Sequence, residues 1–176
     1  MKTPEHENLV KFVHDSTLDV FSTMLGLEID SFQAHTQEEA NPINDGVVSL
    51  IGLAGQWIGT GSIICSAEFA CRLSGAMMGT ESSTVDHDVL DAFGEVTNMI
   101  IGNVKTRLEE MVGPLGLSIP TVVYGRNFAA RTMGSMRWTV VRFTCGPDTF
   151  EVQLCLAEYH DGSRPKLSFA GHLSCN

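Results

Sequence analysis

The sequence predicts an α+β fold in one domain, made of two helix-plus-three-strand halves that form a sheet packed by helices. Three observations point to it. Apolar residues recur at helical spacing in three segments. Two strand–turn–strand runs flank the longest of those segments. Finally, 176 residues with 43% hydrophobic and 18% charged content suit a single packed core and leave little room for a second one.

The first helix is read from Glu7 to Leu25, where Leu9, Val10, Phe12, Val13, Leu18, Val20, Phe21, Met24 and Leu25 keep near-helical spacing and Gly26 supplies a stop. Leu27 to Thr36 alternates loosely and is read as a strand. Gln37 to Gly46 carries Asn41-Pro42 and Asn44-Asp45-Gly46 and reads as a loop. Val47–Leu53 and Trp57–Cys65 form a hairpin around Ala54-Gly55-Gln56. Ser66 is a suitable N-cap for a helix from Ala67 to Met78 that closes at Gly79. After a polar linker, Asp86 or Asp88 opens a long helix to about Met111, ended by Gly113-Pro114. Leu117–Tyr124 reads as a strand and Gly125–Ser135 as a loop with two arginines, Arg126 and Arg131. Arg137–Thr144 and Thr149–Leu156 form a second hairpin around Cys145-Gly146-Pro147-Asp148. The domain is thus assigned to 1–157, with a polar C-terminal tail over 158–176 that holds one short strand near Leu167–Ala170.

Charge excludes several functions. Lys and Arg number 11 against 21 Asp and Glu, a net charge of -10 that repels phosphate backbones and anionic lipid. Neither a nucleic-acid nor a membrane partner is expected. The start, MKTPEHEN, lacks the basic and apolar runs of a signal peptide, and Val47–Gly55 is too short to span a bilayer. Cys65, Cys71, Cys145, Cys155 and Cys175 are odd in number and contain no C-x-x-C pair, which argues against a disulfide framework and a zinc ribbon. A cytoplasmic protein is expected. The six histidines, His6, His14, His35, His87, His160 and His172, show no H-x-x-x-H spacing, so no metal site is assigned. Gly52, Gly55, Gly59 and Gly61 spell no phosphate loop and read as turn and bulge glycines. Ser74-Gly75 lacks the preceding glycine of a nucleophile elbow. The methionines read as core filler, with Met77 and Met78 able to pad an interface.

The long helix is the most informative segment. At about 100° per residue, Val89, Phe93, Val96, Ile100, Val104, Leu108 and Met111 form one stripe, and Asp91, Glu95, Asn98, Gly102 and Glu109 lie opposite. Glu95 and Asn98 are three apart and therefore neighbours on one face. Such a face is ordinarily just solvated. Two details argue for more: asparagine is a mediocre helix former, and a mid-helix glycine costs about 1 kcal/mol relative to alanine. Gly102, one turn beyond Asn98, leaves a low platform beside a carboxylate and an amide. Gly94 lies nearer the flank, where it would serve helix–sheet packing.

These residues carry a resemblance. LDAFGEVTNMIIGNVKTRLEE resembles the motif helix of the CheC, CheX and FliY phosphatase family of bacterial chemotaxis, which bears Asp/Ser-x-x-x-Glu-x-x-Asn and a later proline. The matching positions are Asp91, Glu95, Asn98 and Pro120. The 21 residues between Asn98 and Pro120 are about one fewer than in the usual pattern. GLAGQWIGTGSIICS and EFACRLSGAMMG precede the helix in the family's order, so the resemblance spans roughly Val47 to Leu156. CheC and FliY types carry two motifs. In the first helix the best frame, Ser16 to Thr23, has Val20 in place of the Glu and Thr23 in place of the Asn, so the single motif resembles the CheX type.

The resemblance implies a protein aspartyl-phosphate phosphatase acting on a phosphorylated CheY-like response regulator. It implies no cofactor of its own, with Mg²⁺ held by the partner receiver domain, and a homodimer. In that role Asn98 positions the attacking water and Glu95 docks to the receiver's lysine. Asp91 either supports Glu95 or simply starts the face, and Gly102 and Pro120 border the partner. The alternative is a non-catalytic adaptor or flagellar-switch-like binding module on the same fold, in which the Glu95–Asn98 pair would serve no purpose.

Overall fold

The computed structural model describes residues 3–38, 43–128 and 137–159. Helix α1, His6–Val20, opens with a capping box in which the Glu5 N–H donates to Asn8 Oδ1 at 3.2 Å. It widens into a π-helical turn over Phe21–Leu25 and stops at Gly26, whose φ of 63° favours glycine. Strands β1 (Ser31–Gln37), β2 (Ile43–Gly55) and β3 (Trp57–Cys65) follow. Next come α2 (Ala67–Met78) and α3 (His87–Val112), then β4 (Leu115–Leu117), β5 (Thr121–Phe128), β6 (Trp138–Cys145) and β7 (Asp148–Glu158). Ser66 caps α2 by accepting from the Phe69 N–H at 3.1 Å. Asp86 caps α3 by accepting from the Val89 N–H at 2.9 Å.

The α+β expectation holds: among the described residues the strands form one antiparallel sheet in the order β1-β6-β7-β3-β2, with β4 and β5 both on the outer side of β2. The two halves of the chain interleave, because β6 and β7 insert between β1 and β3. One sheet face bears Val47, Ile51, Ile63, Val141, Phe143 and Val152, which join the buried faces of the helices in one core. Helix α3 lies against β2, β3, β4 and β5, and both α1 and α2 pack on it. Phe150 stacks on Phe21, Phe69 and Phe143 at 4.9, 5.1 and 5.2 Å between ring centroids. Each such ring contributes about 1.5–3 kcal/mol by burial.

Several boundaries differ from the sequence reading. Residues 43–46, read as loop from their turn letters, pair in β2 with the far end of β5, so that Gly46 faces Gly125 and Ile43 faces Phe128. The same pairing extends β5 into the stretch read as an arginine loop. The strand expected over Leu117–Tyr124 is broken into β4 and β5. At the break, Ser118 bonds Gly52 of β2, and Pro120 has no N–H with which to continue a ladder. Gly61 is no turn residue: a Cβ there would sit 2.8 Å from Ile101, so its bare backbone lets α3 approach β3. Gly59 is equally confined, since a Cβ there would sit 2.1 Å from the Cys155 carbonyl oxygen. Val112, together with Ile101 and Thr97, widens the buried stripe of α3, while Met111 is only half-buried. Strand β7 runs through Glu158, and Tyr159 N–H donates to Gln56 at 2.8 Å. The strand expected at Leu167–Ala170 lies outside the described residues, as do Arg131, His160, His172 and Cys175.

Candidate functional site

The outward side of α3 is built by the same residues that anchor its inward side. Val89, Phe93, Val96 and Ile100 are fully buried, which fixes the helix rotation and leaves Asp91 and Glu95 exposed and Asn98 and Gly102 half-buried. The buried Thr97 is satisfied within the helix, its hydroxyl donating to the Phe93 carbonyl at 2.9 Å. Neither Glu95 nor Asn98 has a hydrogen-bond or ion-pair partner among the described residues. Asp91 is held 3.0 Å from His87 Nδ1 across one helical turn, with both side chains mostly in solvent.

Strand β5 and the turn before it run alongside this face. Gly94 is buried, and a Cβ there would lie 3.2 Å from Val122 and 3.8 Å from Pro120, so the glycine permits close contact, as the flank reading expected. Leu90, Asp91, Gly94, Glu95, Pro120 and Val122 line one shallow depression. One turn beyond Asn98, a Cβ on Gly102 would meet only Leu117, at an ordinary 3.9 Å. Leu117 therefore flanks Gly102 and Pro120 flanks Gly94, with Ser118–Ile119 linking the two in the chain. The five residues singled out in the sequence thus share one side of the molecule. Asp91, Glu95 and Pro120 border the depression, Asn98 sits on the next turn, and Gly102 ends the platform.

Glu109, which the helical wheel placed on the same open face, has another task. Its Oε1 accepts from the Leu115 N–H at 2.8 Å and from Lys105 at 2.9 Å. These donors, the Leu115 backbone N–H first, hold its carboxyl below the usual range. The clamp turns the chain from α3 into β4. Ser118 and Ile119 were not singled out in the sequence. The only local signal was an isoleucine directly before proline in a stretch read as a continuous strand.

The remaining reactive groups are spent elsewhere. Arg72 pairs with Asp148 and lies over the Phe69 ring at 5.4 Å. Arg107 bonds Asp19 at 2.7 Å. Cys65, Cys71, Cys145 and Cys155 are free and buried, and desolvation pushes all four thiols up, away from the nucleophilic thiolate. No group of three or more His, Cys, Asp and Glu side chains suited to a metal occurs among the described residues. No helix among them is long and apolar enough to cross a membrane.

Known proteins are similar to this chain in sequence and fold. A Thermotoga maritima protein, CheY-P phosphatase CheX, is 29% identical over 127 residues, covering 72% of this chain and 81% of that protein. The crystal structure of a chemotaxis protein CheX from Desulfovibrio desulfuricans superposes with a TM-score of 0.75 at 27% identity, covering 85% of this chain and 99% of the other. CheX of Borrelia burgdorferi, crystallised as a CheX–CheY–BeF3–Mg²⁺ complex, shares the fold with a TM-score of 0.73 at 23% identity, covering 85% and 98%. The family model described as chemotaxis phosphatase CheX matches residues 47–144, which run from β2 through the motif helix to the end of β6. With more than half its length matched, this chain belongs to the chemotaxis phosphatase CheX family.

Proposed function

We propose that this protein is a phosphatase that hydrolyses the aspartyl phosphate of a CheY-like response regulator in the cytoplasm, working as a homodimer. One observation carries the reading: Glu95 and Asn98 stand one turn apart on a rigid helix, unpartnered among the described residues, beside an open depression closed on one side by Pro120. The family to which the chain belongs and its Thermotoga relative support the same reaction.

The chemistry asks little of the protein. An acyl phosphate is already activated, so what remains is to place a water in line with the bond that breaks. The Asn98 amide offers both a donor and an acceptor and holds such a water in one orientation. Being neutral, it does not repel the phosphoryl oxygens as a carboxylate would. The water oxygen bonds phosphorus, the P–O bond to the receiver's aspartate breaks, and inorganic phosphate and a free carboxylate leave. Glu95 pairs with the receiver's active-site lysine and fixes the register of docking. Asp91 and Gly102 border the same contact. Mg²⁺ held by the receiver would neutralise the phosphoryl charge, while the residues of this chain supply the water position and the docking charge.

Asn98→Ala tests the assignment. The variant is expected to fold and to melt no lower than the parent, because alanine is the better helix former. Its acceleration of phosphate release from phosphorylated receivers should fall about a hundredfold, the scale of losing one positioned polar group in an active site. Full activity in the folded variant would reject the role of the amide and favour an adaptor on this scaffold.

A further inference from the structure

We infer that Ile119 is the apolar anchor with which the site grips its receiver, and that Ser118 is the residue that positions it. The inference rests on the reading above and extends it to a residue outside the motif. Ile119 is 86% exposed, the most exposed large hydrophobic side chain among the described residues. An isoleucine in the middle of a sheet-forming segment is normally turned inward, and this one stands out beside the candidate site. Its neighbour Pro120 lines the depression with Asp91 and Glu95.

The turn that carries it is held firmly. Ser118 N–H donates to the Gly52 carbonyl at 2.9 Å, and Ser118 Oγ accepts from the Gly52 N–H at 2.8 Å. The same hydroxyl donates to the Ile119 carbonyl at 3.0 Å. Pro120 fixes its own φ and restricts Ile119 to extended backbone. A side chain presented by so constrained a turn loses little conformational entropy on binding. At interfaces a few side chains that become fully desolvated on docking carry most of the binding energy.

The occupant is the phosphorylated receiver. Two exposed carboxylates, Asp91 and Glu95, share the depression with the apolar Leu90, Pro120 and Val122, and Ile119 directly precedes Pro120 in the chain. Such a surface complements one that presents a lysine ammonium next to apolar side chains. A receiver docked on Glu95 meets Pro120, which lines the same depression, and the exposed Ile119 stands next to that proline in the chain.

The test measures binding of CheY-type receivers from the source organism, loaded with beryllofluoride and Mg²⁺, alongside phosphate release from the same receivers. Ile119→Ala is expected to weaken binding at least about fivefold, the loss that marks a contributing interface residue, and to raise the receiver concentration needed for half-maximal phosphate release by a similar factor. Ile119→Asp should weaken it further. Ser118→Ala should weaken binding in the parent but add nothing to Ile119→Ala, as two residues acting through one contact do. Unchanged affinity in both Ile119 variants, with the parent binding and hydrolysing normally, overturns the anchor and leaves the phosphatase reading standing. Weakened self-association by light scattering with unchanged receiver affinity assigns Ile119 to a second copy of the chain and also overturns it. A parent that neither binds nor dephosphorylates any receiver removes both readings.

Discussion

Asn98 and Gly102 are the positions where the outward face of α3 departs most from what a solvated helix would choose. Each is a weaker helix former than alanine, and neither fills the core. Gly94 differs, since Val122 lies where its Cβ would press. At Gly102 the nearest neighbour is an ordinary van der Waals contact away, so packing does not require glycine there. Gly102→Gln is therefore expected to melt at the same temperature or higher, gaining less than about 1 kcal/mol from helix propensity. It should lose most phosphatase activity, because the new side chain occupies space that a docked receiver needs. Thermal melts and phosphate release on the same preparation check both halves. A fully active variant would show that no partner approaches that turn.

At the scale of elements, α3 and the segment after it act as one unit. The helix supplies Glu95 and Asn98, and the Glu109 clamp directs the chain into β4 so that Ser118 reaches Gly52. Because the folded carboxyl of Glu109 is held low, its contribution to stability is fully present above the unfolded carboxylate value, about 4.3. The contribution is lost as pH falls through the lowered folded value. Glu109→Gln keeps an acceptor for Leu115 but removes the charge facing Lys105. Urea denaturation should give a lower midpoint for Glu109→Gln at neutral pH, and the gap to the parent should close as the solution is acidified below that folded value. A gap that is constant with pH would mean that the charge contributes nothing.

For the whole molecule, the sheet decides which surfaces remain open. Strand β1 pairs only with β6, and β5 only with β2, so the outer edge of each is unpaired among the described residues. Phe32 on β1 is 43% exposed, although its ring lies 4.4 Å from that of His14. The resemblance to the CheX type implies a homodimer. Multi-angle light scattering over a wide concentration range is expected to report twice the mass of one chain. A monomer throughout would remove the dimer from the proposed function and leave the α3 site untouched.

Local chemistry made much of this protein legible from its letters. The helix starts at Ser66 and Asp86, the stops at Gly26 and Gly79, and both hairpins lie close to their expected places. Caps, turns and periodicity act over a few residues and are written where they act. The motif on α3 was legible for the same reason, since 3.6-residue spacing alone puts Glu95 beside Asn98. Long-range pairing was not legible. The β2 extension over 43–46 depends on β5, some 80 residues away, and no turn letter in Asn44-Asp45-Gly46 announces it. The split between β4 and β5 depends on Ser118 meeting Gly52, and the glycine at position 61 on Ile101 approaching from another element. Ile119 reads as an ordinary strand residue until the sheet is assembled. Only the docking of that turn beside α3 leaves its side chain in solvent at the edge of the site, because exposure is settled by what packs against a residue and not by the residue's own kind.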